Sequence, residues 1–115
     1  MPLTPETFGI LNAETLSQLP AGAYVINSGR GLQINEHDLL LELDSGHIAG
    51  AALDVFCTEP LPSNSSIWDH PKVLVTPHIA SLSSAQSAAQ NVAENIRRIR
   101  SGKIPNDLVD LNLGY

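Results

Sequence analysis

Arg30 stands between Gly29 and Gly31, directly behind the apolar run AYVIN that ends at Asn27. A guanidinium there offers a fork of donors matched to a carboxylate or phosphate, and flanking glycines let the backbone come close to a ligand. Two further apolar runs are followed in the same way: GAALDVF delivers Asp54 and then Glu59, and KVLVT is followed by Pro77 and His78. Taken singly, each residue has a plain structural reading. Arg30 is a surface turn residue, Glu59 a solvated carboxylate, Asp54 a strand-end residue bonded to local backbone, and His78 a hydrogen-bonded histidine behind a proline. Taken together, an arginine, a carboxylate and a histidine are the equipment for holding an acid substrate and moving a proton. The INSGRG stretch is neither a P-loop, which needs Gly-Lys-Ser/Thr after four spacer residues, nor the Gly-x-Gly-x-x-Gly dinucleotide fingerprint.

The three runs are short and apolar throughout, which is the pattern of buried parallel strands, with helices expected on both faces of the sheet. Their carboxyl ends would then form one rim, where ligands bind in open α/β sheets. Between the first two strands, Asn35 is a helix cap, Leu39, Leu40, Leu41 and Leu43 supply an amphipathic face, and Gly46 is placed to end the helix. A longer helix is predicted from about Ser83 to Ser101. Near the start, Thr4 with Pro5 and Glu6, and again Asn12 with Glu14, read as starts of short helical pieces. Three strands leave two open edges around one central strand, so the sequence reads as part of a larger α/β sheet.

The composition is that of a globular domain: 115 residues, 43% hydrophobic, 16% charged, with a net charge of −6. That size accommodates one domain rather than two. The acidic balance argues against nucleic acid or an anionic membrane as partner, because both need clustered cations. Arg97, Arg98, Arg100 and Lys103 are the one basic cluster, at a predicted helix end where cations complement the dipole. No apolar run reaches the length of a membrane span, and the single Cys57 fits a reducing, cytoplasmic setting.

The segments PLTPETFGILN, VINSGRG, INEHDLLLELDSGHIAGAALDVFCTEPLP, IWDHPKV and VTPHIA occur in this order, and the chain thereby resembles the D-isomer-specific 2-hydroxyacid dehydrogenases. The likeness covers nearly the whole chain and corresponds to the second half of that family's NAD(P)-binding domain, a partial Rossmann-like parallel sheet. PLPSNSSIWDHPKV and the ending VDLNLGY are most similar to the glyoxylate/hydroxypyruvate reductase branch. On this resemblance residues 1–115 are the C-terminal portion of the cofactor domain, with 102–115 a tail, and the N-terminal half and substrate domain are absent.

The resemblance implies roles residue by residue. Arg30 matches the arginine that holds the substrate carboxylate and carbonyl oxygen, His78 the acid/base, and Glu59 the carboxylate bonded to that imidazole. Cofactor contacts fall on Pro2 at the adenine side, on Ser28, Gly29 and Arg30 by the nicotinamide ribose and ring, and on Asp54 by the carboxamide. His78, Ile79, Ala80 and Ser81 close that end. The implied cofactor is NAD or NADP, the substrate a small 2-oxo or 2-hydroxy acid such as glyoxylate or hydroxypyruvate, and the assembly a homodimer; no metal is implied. The family often has Ala at the position of Gly29, a departure expected to loosen the turn without removing Arg30. The isolated chain is expected to be inactive, because the pyrophosphate has no helix N-terminus to sit on. A competing reading is an NAD-sensing or dimerisation module, against which the joint presence of Arg30, Glu59 and His78 weighs.

Overall fold

A computed structural model of the chain describes residues 1–81 and 83–111. It divides into two compact units, Met1–Ala80 and Ser81–Tyr115.

The first unit begins with α1 (Ala13–Ser17), β1 (Ala23–Asn27) and α2 (Glu36–Ser45), and continues with β2 (Ile48–Leu53) and β3 (Val73–Val75). Capping starts both helices. Asn12 and Thr15 form a reciprocal capping box on α1, and the Asn35 side chain accepts from the His37 and Asp38 amides at 3.1 and 3.3 Å to open α2. Gly46 ends α2 at φ 83°, a left-handed backbone that glycine adopts without a Cβ penalty. Asp38 also accepts from the Ala13 amide at 2.9 Å, tying the two helix starts together. The expected helix at Thr4 is only a turn: the Thr7 and Phe8 amides both donate to the Thr4 carbonyl. Gly9, at φ 58°, then diverts the chain, and its amide bonds to Leu32 instead of continuing a helix.

The strands form one parallel sheet in the order β1-β2-β3. Its register sets Val25 beside Ala51 and Ala51 beside Val73, and aligns the strand ends Asn27, Leu53 and Val75. Alternate residues point to opposite faces. The face carrying Val25, Ala51 and Leu53 joins Leu16, Ile34, Leu39, Leu43 and Ile48 in the core. The other face carries Tyr24, Ile26 and Leu74, which are 73%, 76% and 64% exposed. Among the described residues of the first unit, helices therefore cover one face of the sheet, not both as the strand composition leads one to expect. Within the first unit the β1–β2 connection contains a helix, whereas the β2–β3 connection runs from residue 54 to residue 72 as turns.

The second unit contains α3 (Ala85–Arg100), capped by Ser84, with Arg97, Arg98 and Arg100 in its last turn as the dipole argument expected. Its tail folds back: Arg98 donates to the Ile104 carbonyl at 2.7 Å, and the Asn106 amide to the Asn95 side chain at 2.8 Å. Residues 112–115 of the predicted tail lie outside the described residues. Among the described residues no helix is long and apolar enough to cross a membrane.

Candidate active site

Parallel register brings the three strand ends level, and the residues beyond them form the rim. Glu59 and His78, 19 positions apart, meet there: the His78 Nδ1–H donates to Glu59 Oε2 at 2.7 Å. The other Glu59 oxygen accepts from the Phe56 amide at 2.9 Å. These two bonds, the His78 contact foremost, hold the Glu59 carboxyl below its ordinary value of 4.5. An imidazole fixed through Nδ1 has Nε2 left for proton exchange with a ligand. The pair borders an otherwise apolar cavity of about 490 Å³ lined by Phe56, Pro60, Leu61, Trp68, Val75 and Pro77.

Asp54 anchors the loop that carries His78. Asp54 as a residue is 5% exposed, and its carboxylate accepts from the Thr76 hydroxyl at 2.6 Å, the Ile79 amide at 2.9 Å and the Ala80 amide at 3.0 Å. Its backbone carbonyl accepts the His78 amide at 2.9 Å. The Thr76 hydroxyl, ahead of the two backbone amides, keeps this carboxyl below its ordinary 3.8. A carboxylate has about four lone-pair sites. Among the described residues Thr76, Ile79 and Ala80 fill three of them.

The Arg30 turn is built by two side chains that sequence reading passed over. Asn27 accepts the Gly29 amide and donates to the Arg30 carbonyl, both at 3.0 Å. Gln33 accepts the Arg30 amide at 3.3 Å and donates to the carbonyls of Met1 and Pro2 at 3.0 Å each. Both are buried. A signal did exist in the sequence: Asn two residues before Gly, at a strand end, is an Asx-turn pattern. The exposed Arg30 guanidinium donates to its own turn, the Gly29 carbonyl, at 2.8 Å. The rim thus joins His78 to Glu59 directly, while the hydrogen bonds of Arg30 stay within its own loop.

The two loops are nevertheless riveted together. A Cβ on Gly31 would lie 1.9 Å from the Phe56 carbonyl carbon, a close approach only glycine permits. Beside it, the Cys57 amide donates to Glu36 Oε1 at 2.7 Å, and its thiol faces the carbonyls of Gly31 and Ile34. Desolvation and the neighbouring Glu36 push the thiol of this exposed residue up to about 11, which disfavours the thiolate. Gly29 differs: its added Cβ would meet side-chain oxygens first, Gln33 Oε1 at 2.8 Å and Asn27 Oδ1 at 3.4 Å.

Of the other expected cofactor residues, Ser28 and Gly29 line a rim hollow of about 290 Å³ with Asn27 and Gln33. Pro2 is held by Gln33 at that edge. Ile79 and Ala80 present exposed side chains while their amides are held by Asp54. Ser81 is exposed and belongs to the second unit. Among the described residues no cluster of three or more His, Cys, Asp or Glu could hold a metal.

A parallel sheet with a helical crossover and ionisable groups at its carboxyl rim is an α/β unit of the Rossmann type. Residues 1–80 match the family model described as D-isomer specific 2-hydroxyacid dehydrogenase, NAD binding domain, and the chain belongs to that family. Glyoxylate/hydroxypyruvate reductase A of Photorhabdus laumondii and that of Serratia proteamaculans are each 48% identical over the whole chain. The chain spans 37% of the length of those relatives. A D-isomer specific 2-hydroxyacid dehydrogenase from Xanthobacter autotrophicus, solved with NADPH and MES, is 51% identical. It superposes with a TM-score of 0.95 over 100% of this chain and 48% of its own. The NADPH-dependent glyoxylate/hydroxypyruvate reductase of Sinorhizobium meliloti, solved with NADP and sulfate, is 46% identical, with a TM-score of 0.93 over 100% of this chain and 38% of its own.

Proposed function

We propose that this chain is the catalytic-rim part of an NAD(P)H-dependent reductase acting on a small 2-oxo acid such as glyoxylate or hydroxypyruvate, reversibly with the D-2-hydroxy acid. The observation that carries the reading is the 2.7 Å Glu59–His78 bond, which engages Nδ1 and orients Nε2 for proton delivery. His78 protonates the carbonyl oxygen as charge develops there, and Glu59 holds the ring in place. Arg30 swings from Gly29 to clamp the substrate carboxylate and polarise the adjoining carbonyl. The bound dinucleotide supplies the hydride. Asp54 stands by the nicotinamide carboxamide. Ser28 and Gly29 line the sugar side, Pro2 lies toward the adenine, and Ile79, Ala80 and Ser81 close the nicotinamide end. The relatives' complexes with NADPH and NADP favour the phosphorylated cofactor over NAD. A homodimer in the cytoplasm is part of the same reading.

The chain by itself is read as inactive, because a dinucleotide also needs a pyrophosphate anchor at a glycine-rich helix N-terminus. No Gly-x-Gly-x-x-Gly occurs in the sequence. Titrating NADPH into the purified chain is expected to give no saturation in the micromolar range. In a polypeptide of the relatives' full length carrying this segment, His78→Asn is expected to lower turnover about 100-fold or more. Arg30→Ala is expected to raise KM as well as lower kcat. Near-normal reduction of glyoxylate and hydroxypyruvate by the His78→Asn protein would remove the acid/base assignment, whereas no reduction by the unsubstituted full-length protein would leave the binding-module reading in its place.

A further inference from the structure

We infer that Thr76 is a positioning residue whose hydroxyl, acting through Asp54, locks the turn from Pro77 to Ala80 and so sets His78 against Glu59. The role rests on the acid/base reading of that pair. His78 has φ 54°, a left-handed conformation uncommon for any non-glycine residue and held where the surrounding structure fixes it. Thr76 leaves β3 with its amide bonded to the Leu53 carbonyl at 3.0 Å, which fixes its backbone to β2. Its hydroxyl then donates to Asp54 Oδ1 at 2.6 Å. This carboxylate gathers the amides on the far side of His78: Ile79 on Oδ1 at 2.9 Å and Ala80 on Oδ2 at 3.0 Å. The His78 amide itself goes to the Asp54 carbonyl at 2.9 Å and shares the Thr76 carbonyl at 3.1 Å. One side chain therefore grips the chain before and after the histidine, and the Thr76 hydroxyl is the shortest contact that grips that side chain. Without it, Oδ1 is free to rotate toward solvent, the two amides lose their acceptor, and His78 can relax out of the left-handed region and away from Glu59.

Because Glu59 is held below its ordinary value first by His78, its carboxyl reports the pairing independently of turnover. The test is carboxyl NMR titration of Glu59 and Asp54 in the 115-residue chain, comparing wild type with Thr76→Val and Thr76→Ser. Thr76→Val is expected to raise the midpoints of both carboxyls toward ordinary values, and Thr76→Ser, which keeps the hydroxyl, to restore both. A Thr76→Val chain in which only Asp54 moves and Glu59 titrates as in wild type would overturn the inference, since the hydroxyl would then serve Asp54 alone. If Thr76→Val does not fold, hydrogen exchange in the wild-type chain decides: the Ile79 and Ala80 amides are expected to be slowed at least about tenfold. Exchange of both at unstructured rates, with the β1–β2 ladder still protected, equally overturns it. Loss of activity on His78→Asn tests the function, and neither Thr76 measurement depends on it.

Discussion

Substituting Gly31 by Ala probes the seam between the Arg30 loop and the loop leading to Glu59. The added Cβ would sit 1.9 Å from the Phe56 carbonyl carbon, 2.0 Å from its oxygen and 2.6 Å from the Cys57 nitrogen. All three are backbone atoms, so no rotamer change relieves the overlap. Reaching an ordinary contact of 3.4 Å requires the two segments to separate by about 1.5 Å. That motion pulls on the Cys57–Glu36 bond of 2.7 Å and the Phe56–Glu59 bond of 2.9 Å. Overpacking costs about 1–3 kcal/mol and each weakened hydrogen bond about 1 kcal/mol. The expected loss is thus about 3 kcal/mol or more, a large fraction of an ordinary domain's stability. With a urea dependence of about 1.5 kcal/mol per molar, the unfolding midpoint is expected to fall by about 2 M. Gly29→Ala is the comparison: its Cβ meets the Gln33 side-chain oxygen at 2.8 Å rather than backbone, so a smaller fall in the midpoint is expected. A Gly31→Ala midpoint indistinguishable from wild type, or a greater loss for Gly29→Ala, would refute the argument that this backbone contact fixes the rim.

The carboxyls of Asp54 and Glu59 both titrate below their ordinary 3.8 and 4.5, so the unfolded chain takes up protons first on acidification. Their contribution is complete above about pH 5 and is lost as the pH falls through the folded-state values. Urea midpoints measured between pH 6 and 3 are expected to decline, and Glu59→Gln to flatten part of that decline. Asn35→Ala removes the acceptor for two α2 amides and is expected to cost about 1 kcal/mol, read by the same unfolding curve. The face bearing Tyr24, Ile26 and Leu74 is apolar and exposed, so the purified chain is expected to self-associate. Sedimentation of Ile26→Lys is expected to show a smaller species than wild type, and an unchanged distribution would place the association elsewhere.

Local patterns carried much of this protein in its sequence. AYVIN ends as a strand where its breakers begin, and α2 runs from its Asn35 cap to Gly46, because capping and glycine conformations depend on neighbours a few residues away. Equal strand ends placed Arg30, Asp54 and His78 on one rim, since parallel strands share a direction. The Thr4 turn was misread because the bond from Gly9 to Leu32, which stops it, is not local.

Tertiary structure decided what meets across the rim. Glu59 reaches His78 over 19 positions, and Thr76 reaches Asp54 over 22, separations at which spacing carries no geometric information. The same holds for the covered face. Uniformly apolar strands predict burial on both sides, but within the first unit the residue 54–72 connection delivers turns rather than a helix. Gly31 shows the limit most plainly. Its neighbours in sequence mark it as a turn residue, and only the packed chain reveals that a backbone 25 positions away, at Phe56, occupies the space a side chain would need.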